Sequence, residues 1–201
     1  MSKGQKIGCI VLVVIVVLLL ILFANVKNIY NGFVRGREAV NGAWAQVENV
    51  YQRRFDLIPN LVETVKGYAA HERETLQAVT EARSKVGGVT QLKADDLTPE
   101  NLAKFQQAQA GLSGALQRLM VVVERYPDLK ANQNFIRLQD ELAGTENRIA
   151  VERRRFNELV RSYNENLKVF PNVIFAGIFG FTPKPYFEAV EQAQTAPKVE
   201  F

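Results

Sequence analysis

The feature that most constrains this chain is an apolar run near its N-terminus. Between Lys6 and Lys27 there is no charged residue, and Ile7 to Ala24 reads IGCIVLVVIVVLLLILFA, twenty uncharged positions when Asn25 and Val26 are counted. At the helical rise this is ~30 Å, one hydrocarbon thickness. Lipid offers no partner to a free N–H or C=O, so such a segment is read as a membrane-spanning helix, with Ile7, Val11, Leu18 and Phe23 among its lipid-facing residues. A cleaved leader fits less well, because a secretory apolar core is usually about 7 to 15 residues long. Leu22 is also a poor residue three places before a cut after Ala24. A lipid-accepting cysteine should follow the apolar run, whereas Gly8-Cys9 opens it.

Beyond the span, the chain is long enough for one domain with a real core and short for two. Of 25 Lys and Arg, Lys3 and Lys6 precede the run, which leaves 23 against 21 Asp and Glu. That balance lacks the basic excess of a nucleic-acid binder. Cys9 is the only cysteine and lies in the run, so disulfides within the chain and thiolate metal sites are excluded. Lys3 and Lys6 before the span, against Lys27, Arg35 and Arg37 after it, choose no side for the domain.

The rest of the chain carries helical spacing and no strand pattern. In KNIYNGFVRGREAV, Gly32 and Gly36 each weaken a helix by ~1 kcal/mol relative to alanine, so a flexible exit from the bilayer is expected, with Tyr30 in the interfacial belt. A 3-4 seam then runs through Trp44, Val47, Tyr51, Arg54, Ile58, Leu61, Val65, Tyr68, Glu72, Thr75, Val79, Ala82 and Val86. Pro59 leaves its phase intact but removes one hydrogen bond and crowds the carbonyl of Phe55. Two geometries follow: one long helix kinked at Pro59, or a turn over Arg54 to Ile58 between antiparallel helices. Gly87-Gly88 ends the segment, and a loop leads to Thr98 as N-cap with Pro99 in the first helical position. The next seam is Leu102, Phe105, Gln109, Leu112, Leu116, Leu119, Val123 and Tyr126, closed by Pro127. Asp128 or Asn132 starts the last long helix, with Phe135, Leu138, Leu142, Thr145, Ile149, Glu152, Phe156, Leu159, Tyr163, Asn166 and Phe170 on its seam. Such sustained spacing predicts near-antiparallel packing at about 20°.

The expected organisation is a short basic N-terminus (1–6), a transmembrane helix (7–26), a helical bundle (27–170), an apolar segment (171–188) and a disordered tail (189–201). NVIFAGIFGF, within the fourth of these, is too short to cross a bilayer. With an even number of bundle helices it returns to the membrane face; with an odd number it caps the distal end.

The stretches RRFDLIPNLVETVKGYAAHE at 53–72, YPDLKANQNFIRLQDELAGTENRIAVERRRFN at 126–157, Tyr163-Asn164 and GFTPKPYFE at 180–188 together resemble the bacterial LemA family. The likeness covers nearly the whole chain. It implies a single-pass membrane protein whose remaining part is an antiparallel up-and-down bundle of four helices, without an established enzymatic activity, and it transfers no catalytic residue.

Candidate sites are weighed against plainer readings. Arg54, Glu72, Gln109, Thr145 and Glu152 stand at seam positions and form a polar layer that sets register, with exposure at the bundle's edge or ligand binding as the alternatives. A di-iron bundle needs Glu-x-x-His on two helices, but His71 is the single histidine and position 68 is tyrosine. No metal, cofactor, catalytic residue or small-molecule substrate is therefore assigned. Arg153-Arg154-Arg155, flanked by Glu152 and Glu158, point in three directions around a helix and with Arg161 read as a solvated face, with lipid headgroups or a partner's acidic patch as the alternatives. Tyr30-Asn31, Tyr163-Asn164, Asn132, Asn134 and Asn147 suit inter-helix hydrogen bonding. Phe175, Phe179 and Phe201 are candidate interface residues. The end Val199-Glu200-Phe201 could enter the groove of a PDZ-bearing membrane protease, or be an unselected tail.

The reading that results is a non-enzymatic envelope scaffold in the inner membrane, self-associating or partner-binding through its long seams. A lipid-binding or remodelling protein using the span and residues 173–181 is the alternative. An enzyme built on His71 and Glu72 is a third.

Overall fold

The computed structural model describes residues 3–89 and 92–188, with side chains from Leu12 onward. Among these residues there is no strand. The helices are α1 (Lys3–Tyr68), α2 (Arg73–Gly87), α3 (Pro99–Val123), the single turn α4 (Pro127–Lys130), α5 (Gln133–Lys168) and α6 (Asn172–Phe179). The described residues separate into two compact units: Lys3–Ala39 with Arg161–Pro183, and Val40–Val160 with Lys184–Glu188.

The larger unit is an up-down-up-down bundle of four helices. Along α1 and α5 the contacts run in opposite directions, from Tyr68 with Asn132, through Arg53 with Glu141, to Trp44 with Phe156. Along α1 and α3 they rise together, from Trp44 and Tyr51 on Phe105 to Arg54 on Ser113. α2 runs back beside α1, bringing Gly87 against Phe55. The core takes Val47, Tyr51, Ile58, Leu61 and Val65 from α1, Leu76, Val79 and Val86 from α2, and Leu102, Phe105, Leu112, Leu116 and Leu119 from α3. From α5 it takes Phe135, Leu142, Ile149 and Phe156, while Leu138 is partly buried against it. Caps set the helix starts. The Thr98 side chain accepts from the Asn101 N–H with Pro99 next in line, and Asn132 Oδ1 accepts from the N–H groups of Asn134 and Phe135.

The seam running through Pro59 is one helix there, and the break falls elsewhere. α1 continues to Tyr68, and the reversal occupies Ala69–Glu72, which carries no glycine or proline. Glu72 leaves the helical seam for this turn, where its carboxylate accepts from Arg125 Nη2 at 3.0 Å and the Tyr126 hydroxyl at 2.8 Å. The short connection is thereby tied to the far end of α3. Pro59 is tolerated because α2 repairs what it removes. The Phe55 carbonyl, which residue 59 would normally satisfy, accepts from Arg83 Nε at 3.3 Å, and the guanidinium stacks 3.8 Å over the Phe55 ring.

In the smaller unit α1 and α5 are again antiparallel. Gly32 and Gly36 form no flexible exit, since α1 runs helical through both. A Cβ on Gly36 would stand 3.0 Å from Tyr163 Cδ2, so glycine here permits close approach of a buried tyrosine. The α5 seam ends through Val160, Tyr163 and Leu167; Phe170 lies beyond the helix and is 82% exposed. Gly180, at φ 72°, closes α6, with the Phe181 N–H donating to Ala176 O at 2.9 Å. The 171–188 segment thus divides into α6 and an extended strap, 181–188.

Arg83→Leu is expected to cost about 1–2 kcal/mol of stability, because it strands the Phe55 carbonyl. In a Pro59→Ala background, where residue 59 regains its N–H, the same change should cost markedly less. Denaturation of the four proteins of this double-mutant cycle checks it, and equal costs in both backgrounds contradict it.

Candidate functional site

Three constellations in the described residues merit attention as sites, and the first is the polar layer. Arg54 is 2% exposed and projects between α3 and α5, where Nη1 donates to Ser113 Oγ at 3.1 Å and to Glu146, and Nη2 donates to Gln109. Its guanidinium also lies 5.1 Å from the Tyr51 ring centroid. Arg54 and Gln109 come together as the seam spacing suggests, whereas the acid that answers the charge, Glu146, and the hydroxyl of Ser113 lie off the seam. An i,i+3 or i,i+4 rule for one helix cannot reveal which neighbouring side chain reaches across. Thr145 is buried but returns its hydroxyl to Glu141 O at 2.7 Å. Glu152 lies elsewhere on α5, half-buried, and Glu72 is in the α1–α2 turn. Neither joins the Arg54 cluster.

The second constellation is aromatic. Phe187 is buried and stacks on Trp44 with ring centroids 5.9 Å apart, meets Phe156 at 5.4 Å and lies under the Arg153 guanidinium at 4.7 Å. Asn157 holds the strap's backbone on both sides: its Nδ2 donates to Phe187 O at 2.9 Å, and its Oδ1 accepts from Phe187 N at 2.8 Å. Arg153 and Gln106 donate to Glu188 O, and Lys184 Nζ donates to Ala94 O at 2.9 Å. The Trp44 indole N–H donates to Leu92 O at 2.8 Å. Of the arginine run, Arg153 is therefore engaged with the strap, while Arg154 and Arg155 are exposed. Phe187 was not singled out in the sequence, where its only signal is an aromatic residue in a proline-bounded stretch.

The third constellation belongs to the smaller unit. Tyr30 meets Phe179 at 5.2 Å and Phe181 at 5.7 Å, Phe33 meets Phe181 at 5.1 Å, and Phe175 stacks on Phe179 at 6.2 Å. Asn172 Nδ2 donates to Asn166 Oδ1 at 2.8 Å and ties the start of α6 to the end of α5. Leu18 and Phe23 are 60% and 68% exposed, as lipid-facing residues would be. The 18-residue window that marks α1 as able to cross a membrane has mean hydropathy 2.6 and is not buried at all. Ile7 and Val11 lie where only the backbone is described, and Phe201 lies outside the described residues.

Reactive chemistry finds little to work with. Among the described residues no three His, Cys, Asp or Glu side chains converge as metal ligands. His71 is exposed in the turn, and its neighbour Glu72 is already engaged by Arg125 and Tyr126. The hydrogen bond to Glu72 pushes the Tyr126 phenol upward. Burial does the same for Tyr51. The Glu48 carboxyl is also raised, by burial, with the Trp44 indole partly offsetting it.

Among the described residues the chain is helical throughout, with one helix long and apolar enough to cross a membrane and a bundle whose buried Arg54 binds side chains of two other helices, which defines a class of membrane-associated helical-bundle proteins. This chain belongs to the LemA family, whose match covers residues 43–201 and so takes in the bundle while leaving out the apolar run. Magnetosome protein MamQ of Magnetospirillum gryphiswaldense is 29% identical over 177 residues, covering 79% of this chain and 64% of that protein. Magnetosome protein MamQ 1 of Paramagnetospirillum magneticum is 29% identical over 178 residues, with the same 79% and 64% shares. Protein LemA of Metamycoplasma hominis is 24% identical over 140 residues, 70% of this chain and 60% of that protein. The chain spans less than two thirds of the length of each of these relatives.

Two predictions follow from the buried charges. Glu146→Ala leaves the Arg54 cation without its counter-ion and, because the Glu146 side chain is 46% exposed, should destabilise the protein by about 1–2 kcal/mol. The joint change Arg54→Met with Gln109→Leu removes the polar groups together and should cost less; chemical denaturation that reverses this order refutes the pairing. For Glu48 the folded state favours the protonated acid, so stability falls as pH rises from the ordinary carboxylate value through the raised one. Glu48→Gln should therefore raise the melting temperature at neutral pH. The gain should vanish in acid below the ordinary value of 4.5; a gain undiminished there points away from burial as its cause.

Proposed function

We propose that this chain is a single-pass protein of the bacterial inner membrane that works without catalysis, as a helical scaffold assembling with copies of itself or with other envelope proteins. The observation that carries this reading is how the bundle uses its polar groups. Arg54 with Gln109, Ser113 and Glu146, Arg83 with Phe55 O, Glu72 with Arg125 and Tyr126, and Asn132 with Tyr68 all join one helix or turn to another. Side chains spent in this way hold shape and register, and among the described residues they leave no acid–base pair poised over an open concavity. Similarity to two proteins named magnetosome proteins supports a membrane-associated, non-enzymatic reading.

The seams themselves are covered by the chain's own helices, so assembly falls to exposed residues such as Val121 on α3 and Val151 on α5, at 72% and 48% exposure. Photo-crosslinkers placed at these two positions in native membranes should trap discrete species of higher mass. A chain that stays monomeric at both, and brings nothing down with it, rules the scaffold reading out.

A further inference from the structure

From Val169 to Pro183 the sequence VFPNVIFAGIFGFTP contains no charged residue, and Lys168 and Lys184 bracket it. All of α6 lies within this stretch, as a surface element without a charged face. Val173 is 50%, Ile174 52% and Ile178 68% exposed, Gly177 is open on the same side, and Phe170 just before the helix is 82% exposed. Ala176 alone of the helix is buried. A surface helix of a soluble protein normally turns charged residues toward water, and a contiguous apolar face of this kind marks a surface that is covered in use. In the larger unit the exposed large hydrophobics are scattered singly: Tyr68, Val121, Val151 and Tyr186. The concentration at α6 is specific to the smaller unit.

What covers it is indicated by the neighbour of α6. Phe179 and Phe181 pack edge-on against Tyr30, only four residues beyond Val26, the last residue of the charge-free run. Four helical residues amount to ~6 Å, so α6 lies at the depth where the span leaves hydrocarbon for headgroups. Eight residues reach ~12 Å, far short of a crossing, which suits a helix lying in the interface. The surroundings have matching chemistry. Lys27 and Lys168 are exposed, and residues 27–39 with 161–183 hold five basic residues (Lys27, Arg35, Arg37, Arg161, Lys168) against Glu38 and Glu165. Basic side chains at that level meet lipid phosphates, while Tyr30 is a residue type enriched in the interfacial belt.

We infer that α6 is a second membrane-contacting element: it lies in the interfacial layer of the leaflet from which α1 emerges, with Val173, Ile174 and Ile178 in the acyl boundary and Lys27 and Lys168 at the phosphates. The chain then grips one leaflet at two points, a span and a short helix beside its exit. This inference rests on α1 spanning the bilayer, and its test separates the two claims.

Full-length protein with Cys9→Ser receives a single environment-sensitive fluorophore through Ile178→Cys, Leu18→Cys or Val121→Cys. Each form is reconstituted in phosphatidylethanolamine/phosphatidylglycerol vesicles carrying a spin label either near the glycerol or deep in the acyl chain. All three positions are exposed, so the substitutions spare the packing. The label at 178 should emit to the blue and be quenched several-fold more by the shallow spin label than by the deep one. The label at 18 should be quenched most by the deep one, and that at 121 by neither. An unquenched label at 178 beside a quenched label at 18 overturns the role of α6 and leaves the anchor standing. Blue-shifted but unquenched emission at 178 means that a second copy covers the helix, and this too overturns it. An unquenched label at 18 defeats both claims.

Discussion

The structure depends on covering the apolar stripe of α1 once that helix has passed the charge-free run. From Val40 through Trp44, Val47, Tyr51, Ile58, Leu61 and Val65 the stripe is buried throughout. Leaving such side chains in water would forfeit roughly 1.5–3 kcal/mol for each large one. A single helix cannot bury its own stripe, so the chain folds back on itself until α2, α3 and α5 enclose it. Their own 3-4 spacing supplies matching stripes, and the short connections make neighbours antiparallel.

Covering the stripe creates the second requirement, that polar groups caught inside find partners; most do, while Asn41 Oδ1, Arg54 Nε, Gln109 Nε2 and Glu152 Oε2 do not. Two polar groups were brought into the core by α1 itself: the Phe55 carbonyl freed by Pro59, and the Arg54 guanidinium. Each is met by another helix, the first by Arg83 on α2 and the second by Gln109 and Ser113 on α3 with Glu146 on α5. Adjacent residues of α1 are thus bonded to three different helices. A register slip of one turn along any of them would strand a carbonyl or a charge, a penalty that apolar packing alone does not impose. The strap adds a further lock, because the Phe187 ring is held among Trp44, Phe105 and Phe156 while Asn157 pairs with its backbone.

The LemA family match begins at residue 43, inside α1, and so concerns the enclosed bundle. The apolar run ahead of it, long and apolar enough to cross a membrane, leaves Leu18 and Phe23 exposed, which in the proposed span is the satisfied state because the solvent there is lipid. In the interfacial placement inferred for it, α6 comes under the same condition. Its uncovered face beside Tyr30 is an anomaly for a helix in water and an ordinary arrangement for one at a bilayer surface.

Periodicity, composition and cap chemistry determined the all-helical class, the membrane-length run, most of the stripe residues and the start at Thr98, because each is written within a few residues of chain; between Asp128 and Asn132 as the start of the last long helix, the structure chose Asn132. Motif likeness, in turn, was enough to place the chain in its family. The tertiary structure decided where α1 stops. Ala69-Ala70-His71-Glu72 has good helical propensity and an unbroken seam, yet the chain reverses there, where Arg125 and Tyr126 grip the Glu72 carboxylate from the turn that follows α3. It also decided that Pro59 would be bridged by Arg83, that Gly36 would admit Tyr163, and that Glu146 would answer Arg54 in place of Glu72 or Glu152. These outcomes depend on which side chains from remote parts of the sequence arrive at the same point, and local spacing carries no record of that.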